Sequence, residues 1–308
     1  MKRTLVLYSN TSTYYFDRIN GFELSIHAVY RDKNWMKNKF LSLLRKVNSS
    51  LTFLFYGDWY KHIDDYDKII VLDTPFSYDH RLLKNIARKA HRAKRFYYSW
   101  NIVRNEQLHK MEKEETEKYG FKFYCYDKGN CEKYDLQFNT IMYDETLRLP
   151  AATPEYDTCF LGFLKDRKVK MGKLYDAFQA AGLKARFVIV KNAGVVEDMP
   201  FEYREKEVDY YEYLDMINRS KSILDITQQG QDGLSLRIMK AIFLNKKILT
   251  TNEYITKMDF YDPNNILVIR LGETSKEEIL DFFNKPFHGY PEATREYYSF
   301  KAWVERFI

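Results

Sequence analysis

Short apolar runs alternate with charged, helix-forming stretches along nearly the whole chain. Residues 4–8, 51–56, 68–72, 96–100 and 121–126 are rich in β-branched and aromatic side chains, and each predicts a strand. Between them, 23–30 reads as helix-like, and 34–47 places Trp35, Phe40, Leu43 and Leu44 among Lys37, Lys39, Arg45 and Lys46, the pattern of an amphipathic basic helix. The segment from Arg81 to Arg95 puts Leu82, Leu83, Ile86, Ala87 and Ala90 on one stripe and is otherwise nearly all cationic. Residues 107–119 form a further charged helix. Two prolines and small residues at 150–154 then interrupt the pattern, and it starts again. Strands are expected at 158–163, 185–190, 222–226, 247–251 and 266–269, with helices at 170–181, 209–219, 234–244, 276–283 and 291–307. Gly182 suits the positive φ that follows a helix end.

This alternation predicts α/β architecture with open, mostly parallel sheets. The restart predicts two domains, 1–150 and 151–290, with the helix at 291–308 expected to pack back on the first. Two such halves would leave a cleft for a ligand between them.

Composition changes this picture little. The 26 Tyr and 22 Phe suit surfaces that meet sugars or partners. A net charge of +6 favours anionic partners such as phosphates or acidic lipid. The three cysteines, Cys125, Cys131 and Cys159, imply no disulfide framework and a reducing compartment. No stretch approaches the roughly 20 apolar residues of a membrane span, and the apolar run near the start is too short for a signal peptide. A cytoplasmic protein is therefore expected. Together with the 34–47 helix, the 81–95 segment could rest on anionic headgroups at the inner face of the membrane, or be a helix whose solvated face is basic.

The stretch 222–252 carries the clearest chemistry. A strand runs into a polar loop holding Gln231, Asp232 and Gly233, and a helix pattern follows from Leu234, with Ser235 next and Arg237 in its first turn. Exposed N–H groups at a helix start, with a guanidinium beside them, suit an anion such as a diphosphate. Lys165 and Arg167, in the loop after the 158–163 strand, are further candidates. Each could equally be a solvated turn residue.

Residues 211–269 resemble the C-terminal half of small GT-B glycosyltransferases from bacterial capsule and lipopolysaccharide gene clusters. The matching pieces are Tyr213-Leu214 with Ile217, the strand at 222–226, the run from Gln231 to Arg237, and the segments 246–252 and 259–269. Segments 126–136 and 159–168 also resemble parts of these proteins. The resemblance implies two Rossmann-like domains, a nucleotide-sugar donor held by the second and an acceptor held by the first. It implies a metal-independent, hexosyltransferase-like enzyme without cofactor, acting on a surface-polysaccharide or lipid-linked saccharide. One departure stands out: Lys240 lies where many such enzymes carry a Glu that accepts hydrogen bonds from the donor ribose. Lysine offers no acceptor, so Asp225 or Asp232 would take the ribose, or Lys240 would meet a phosphate, or donor binding would be lost. The last option leaves a catalytically inactive glycan- or partner-binding protein as the alternative.

A catalytic base would be a carboxylate on a first-domain loop; Asp17, Asp73 and Asp127 qualify by position, with Asp17 and Asp127 the choices, and each could instead cap a helix. Asp65-Tyr66-Asp67 precedes its strand rather than ending one, so it reads as an acidic turn. The six histidines lack metal-ligand spacing, so no metal site is expected. The basic residues are not interleaved with aromatics, and no nucleic-acid partner is expected.

Overall fold

Both halves of the chain build a six-stranded parallel sheet in the computed structural model. It describes every residue except 1–2, 10–12, 17–18, 20–23, 32–33, 35–36, 73–80, 102, 104, 192–196 and 229. Contacts divide the chain into one unit of residues 1–139 with 307–308 and a second of residues 140–306. The division thus falls ahead of the prolines at 150 and 154, and residues 291–306 stay with the second unit.

The first unit runs β1 (Thr4–Tyr8), α1 (Thr13–Phe16), β2 (Leu24–Ala28), α2 (Lys39–Lys46), β3 (Lys68–Leu72), α3 (Leu82–Lys89), β4 (Lys94–Ser99), α4 (Glu106–Lys118), β5 (Phe121–Cys125), α5 (Lys128–Tyr134) and β6 (Gln137–Phe138). Its strand order is β2-β1-β3-β4-β5-β6. All five residues of β1 are buried, as expected of a parallel strand covered on both faces. Phe307 closes this unit. It is fully buried against the rings of Tyr124, Phe96 and Tyr98, at 4.8, 5.5 and 6.0 Å between centroids.

The second unit runs β7 (Tyr156–Phe163), α6 (Lys168–Ala180), β8 (Ala185–Val190), β9 (Glu202–Arg204), α7 (Tyr210–Asn218), β10 (Ser220–Asp225), α8 (Leu236–Phe243), β11 (Lys247–Thr250), β12 (Ile266–Val268), α9 (Lys276–Asn284), α10 (Glu292–Tyr298) and α11 (Phe300–Glu305). Its order, β12-β11-β10-β7-β8-β9, reverses direction between β7 and β10. That is the strand order of the Rossmann fold, and its switch point is where such sheets take a ligand, beyond the carboxyl ends of the strands. Phe160, Phe178, Phe187, Leu224, Leu249 and Phe282 belong to one buried core in this unit.

Four local expectations differ from the structure. Residues 24–28 are the edge strand β2, pairing Thr4 with Leu24 through Tyr8 with Ala28, because pairing with β1 overrides local propensity. Residues 50–55 form a 3-10 helix rather than a strand. Asn48 adopts φ 50°, and the Ser49 hydroxyl accepts the Leu51 N–H at 3.2 Å, which starts the tight turn. The expected helix at 34–47 is described as α2, where the Asn38 side chain caps the Phe40 and Leu41 N–H groups. The closing helix is broken at Ser299, whose ψ of 152° is extended. Tyr143 N–H donates to Tyr298 O and Phe300 N–H to Tyr143 O, so backbone pairing with Tyr143 takes the place of a helical turn. Among the described residues no helix is long and apolar enough to cross a membrane.

Phe307→Ala is expected to destabilise the first unit by about 3 kcal/mol, the usual cost of emptying a fully packed phenylalanine site. Urea unfolding of the intact chain measures it.

Candidate functional site

The site candidates of the second unit gather at the carboxyl ends of β7 and β10. Arg167 follows β7 and is 3% exposed. Its Nη1 donates to Ile226 O at 2.9 Å and its Nη2 to Phe163 O, so one guanidinium ties the ends of the two strands together at the switch point. Arg237 reaches back from the first turn of α8. Its Nη2 donates to Leu161 O at 3.0 Å, and its Nη1 lies 3.7 Å from Asp225 Oδ1. Both guanidiniums lie over the Phe160 ring, Arg167 at 5.2 Å and Arg237 at 4.6 Å from its centroid. Gly162 makes room for this: a Cβ there would sit 2.5 Å from Arg237 Nη2.

Asp225 is 1% exposed and is held by two hydroxyls as well as by Arg237. Ser235 Oγ donates to its Oδ1 at 2.6 Å, and Thr250 Oγ1 to its Oδ2 at 3.2 Å. The Ser235 hydroxyl also accepts the N–H groups of Arg237 and Ile238, at 3.1 and 3.4 Å. Two donors of the α8 N-terminus therefore already have a side-chain cap, and an arriving anion would meet a helix end oriented by its own serine. Gln231 knots the preceding loop. Its amide oxygen accepts from Gln228 N–H at 3.4 Å, and its Nε2 donates to Gly233 O at 3.2 Å. Asp232 is exposed, and its carbonyl accepts from Asn252 Nδ2 at 3.2 Å. Gly233 and Leu234 are buried. Lys165, in the loop after β7, is exposed and holds a left-handed φ of 50°, a conformation that costs a non-glycine residue about 1 kcal/mol.

Lys240 is placed differently. It is 3% exposed, in the seam between α8 and α7, with its amine 5.6 Å from the Tyr210 ring centroid and 5.3 Å from that of Tyr213. Burial, aided by the positive charge of Arg237, lowers its pKa to about 7. Among the described residues no carboxylate pairs with it, and its amine lies beside the two ring faces.

Of the aspartates considered as a base, Asp127 is 2% exposed and caps α5, accepting Asn130 N–H at 2.9 Å. It follows β5, next to the sheet edge and two strands from the β1/β3 switch point of its own sheet. Asp17 and Asp73 lie outside the described residues. Sequence reasoning missed Phe160, Gly162 and Thr250. A glycine inside an apolar strand was the available signal, since such a glycine often marks a close approach.

No protein-family model matches the chain, and no curated protein matches it. Solved structures do. An α-glucosyltransferase in complex with UDP and a 13-mer DNA containing an HMU base aligns over 99% of this chain and 93% of its own, at 10% identity and a TM-score of 0.59. The fold is that of the GT-B glycosyltransferases. The glycosyltransferase SnogD from Streptomyces nogalater (12% identity, 92% of this chain, 94% of that one, TM-score 0.37) aligns more loosely. So does the glycosyltransferase of kitacinnamycin (10% identity, 99% and 94%, TM-score 0.39), and no argument rests on either.

Lys240→Met is expected to stabilise the protein. The folded pKa near 7 lies below the roughly 10.4 of an unfolded lysine, so the unfolded chain binds the extra proton between those values. The burial penalty is full below about pH 7 and fades as pH rises towards about 10. The variant should therefore exceed the wild type by a few kcal/mol at about pH 6 and by much less at about pH 9.5, as read by parallel urea titrations.

Proposed function

We propose that this protein transfers a sugar from a nucleotide-diphosphate donor, held by the second unit, to a surface-polysaccharide or lipid-linked saccharide acceptor. The carrying observation is the pair of arginines at the β7/β10 switch point, of which Arg237 keeps 19% of its side chain exposed. Departure of a nucleoside diphosphate develops negative charge, and guanidinium groups already fixed in place stabilise it without reorganising. Asp225 partly balances them and is itself held by two hydroxyls, so the cluster keeps its shape and a net positive charge. Ser235, Gln231, Asp232, Gly233 and Leu234 frame the helix start, and Lys165 brings a further charge. In this reading Lys240 tunes the cluster from behind and does not hold the ribose. Side chains meet the charge of the diphosphate, so the reading includes no obligatory metal, and turnover is expected to survive EDTA.

The structural neighbour supports UDP as the first nucleotide to test, because that protein was captured with it. The same neighbour carries a DNA with an HMU base, which makes a hydroxymethylated base in DNA a second acceptor class for this basic chain. An acceptor panel of saccharide-lipids and HMU-containing DNA separates the two. Nucleotide binding without turnover on any acceptor would leave the binding-only alternative.

Calorimetry with UDP and with UDP-, GDP-, CMP- and ADP-sugars tests the donor site. Arg237→Gln is expected to weaken the preferred donor about 10–100-fold, the range for losing a charge-assisted contact. Gly162→Ala is expected to act in the same direction while keeping the arginine, because its Cβ displaces Nη2. Unchanged affinity in both, with circular dichroism intact, removes Arg237 from the site; no affinity for any nucleotide sugar in the wild type overturns the reading.

A further inference from the structure

We propose that α2 and the 3-10 helix after it dock the first unit on an anionic bilayer. Phe40, Leu43 and Val47 stand 56, 55 and 64% exposed at spacings of three and four along α2 and its end, so they share one face. Leu51 and Leu54, three apart in the adjoining 3-10 helix, are 47 and 50% exposed. The two elements are one surface: Phe40 meets Phe55 at 6.0 Å between ring centroids, and Ser49 N–H donates to Leu44 O at 2.8 Å. Leu41 and Leu44, about a quarter turn round α2 from that face, are buried, so the helix is anchored and its outer apolar face is surplus to the core. Such a concentration of exposed apolar side chains marks an interaction surface.

Charge identifies the partner. Residues 34–57 contain Lys37, Lys39, Arg45 and Lys46 and no acidic residue. Lys37, Lys39 and Lys46 are exposed and border a surface depression of about 360 Å³ that also takes in Ser42 and Leu43. Aliphatic side chains beside a ring of lysines match acyl chains beneath phosphate headgroups. A second copy of the chain fits poorly, because a two-fold contact through this face would bring lysines against lysines. Nucleic acid would leave Leu43, Val47, Leu51 and Leu54 without stacking partners.

The 81–95 segment does not offer the same surface. Leu82, Leu83 and Ile86 are buried. Arg81 Nε donates to Asn48 O, Lys89 Nζ to Tyr60 O and Lys61 O, and Arg95 Nη1 to Ala90 O. It brings charge without an exposed apolar face, so of the two helices expected to meet lipid, α2 is the one that carries the contact.

The inference does not depend on the donor site, and Arg237→Gln should bind vesicles as the wild type does. Cosedimentation of the full chain with vesicles of equal parts phosphatidylglycerol and phosphatidylcholine is expected to show binding that falls with salt between about 0.1 and 0.5 M and is absent on phosphatidylcholine alone. The paired change Leu43→Ser with Leu54→Ser, both at exposed positions, is expected to reduce partitioning at least about 10-fold, as is Lys37→Glu with Lys39→Glu. Arg88→Glu with Arg92→Glu should change it by less than about 3-fold. No binding to anionic vesicles overturns the proposal, as does loss in the 88/92 pair alone. A dimer in solution that dissociates in the 43/54 pair assigns the face to a second copy. Duplex or single-stranded DNA binding that disappears in the 37/39 pair, without vesicle binding, assigns it to nucleic acid.

Discussion

Two guanidinium groups over one phenylalanine ring govern the second unit. Arg167 ties the last carbonyls of β7 and β10 together, and Arg237 crosses from α8 to Leu161 O and the Asp225 carboxylate. A partly buried positive pair is tolerable only where carbonyls, a carboxylate and a ring face compensate it. That requirement accounts for the neighbouring residues. Gly162 is a glycine because Nη2 occupies the place of a Cβ. Asp225 stands at a strand end, with Ser235 donating to the oxygen that faces Arg237 and Thr250 to the other.

The same requirement explains the position of Lys240. Burial first, and the positive charge of Arg237 second, draw the pKa of its amine down to about 7. The tyrosines of α7 offer ring faces, which suit a cation weakly and a neutral amine without penalty. The lysine amine stands against the α7 rings while Arg237 keeps its contact with Leu161 O.

The first unit divides its basic character between two helices with different roles. At the two ends of α3 Arg81 and Lys89 reach carbonyls and the apolar stripe is buried, so those charges serve the fold. In α2 the apolar residues outnumber the sites the core can take, and they emerge among lysines. Two stretches of similar composition thus differ in whether the sheet accepts their apolar side.

The alternation of apolar runs and charged stretches was enough to determine the α/β class and most strands, because a strand covered on both faces must read as a continuous apolar run. The loop from Gln231 to Gly233 and the position of Arg237 at a helix start were also legible, whereas the helix begins two residues later than expected, at Leu236, with Ser235 as its cap. Gly182 does take its positive φ of 70°. Other features depended on residues far apart in the chain. Residues 24–28 became a strand only because β1 offered an edge, and the closing helix broke because Tyr143 pairs across it. The direction in which Arg237 and Lys240 point was likewise set by Leu161, Asp225 and the α7 rings, up to 76 residues away in sequence. Local pattern specifies which element a side chain stands on; the neighbours that balance its charge are brought there by the sheet.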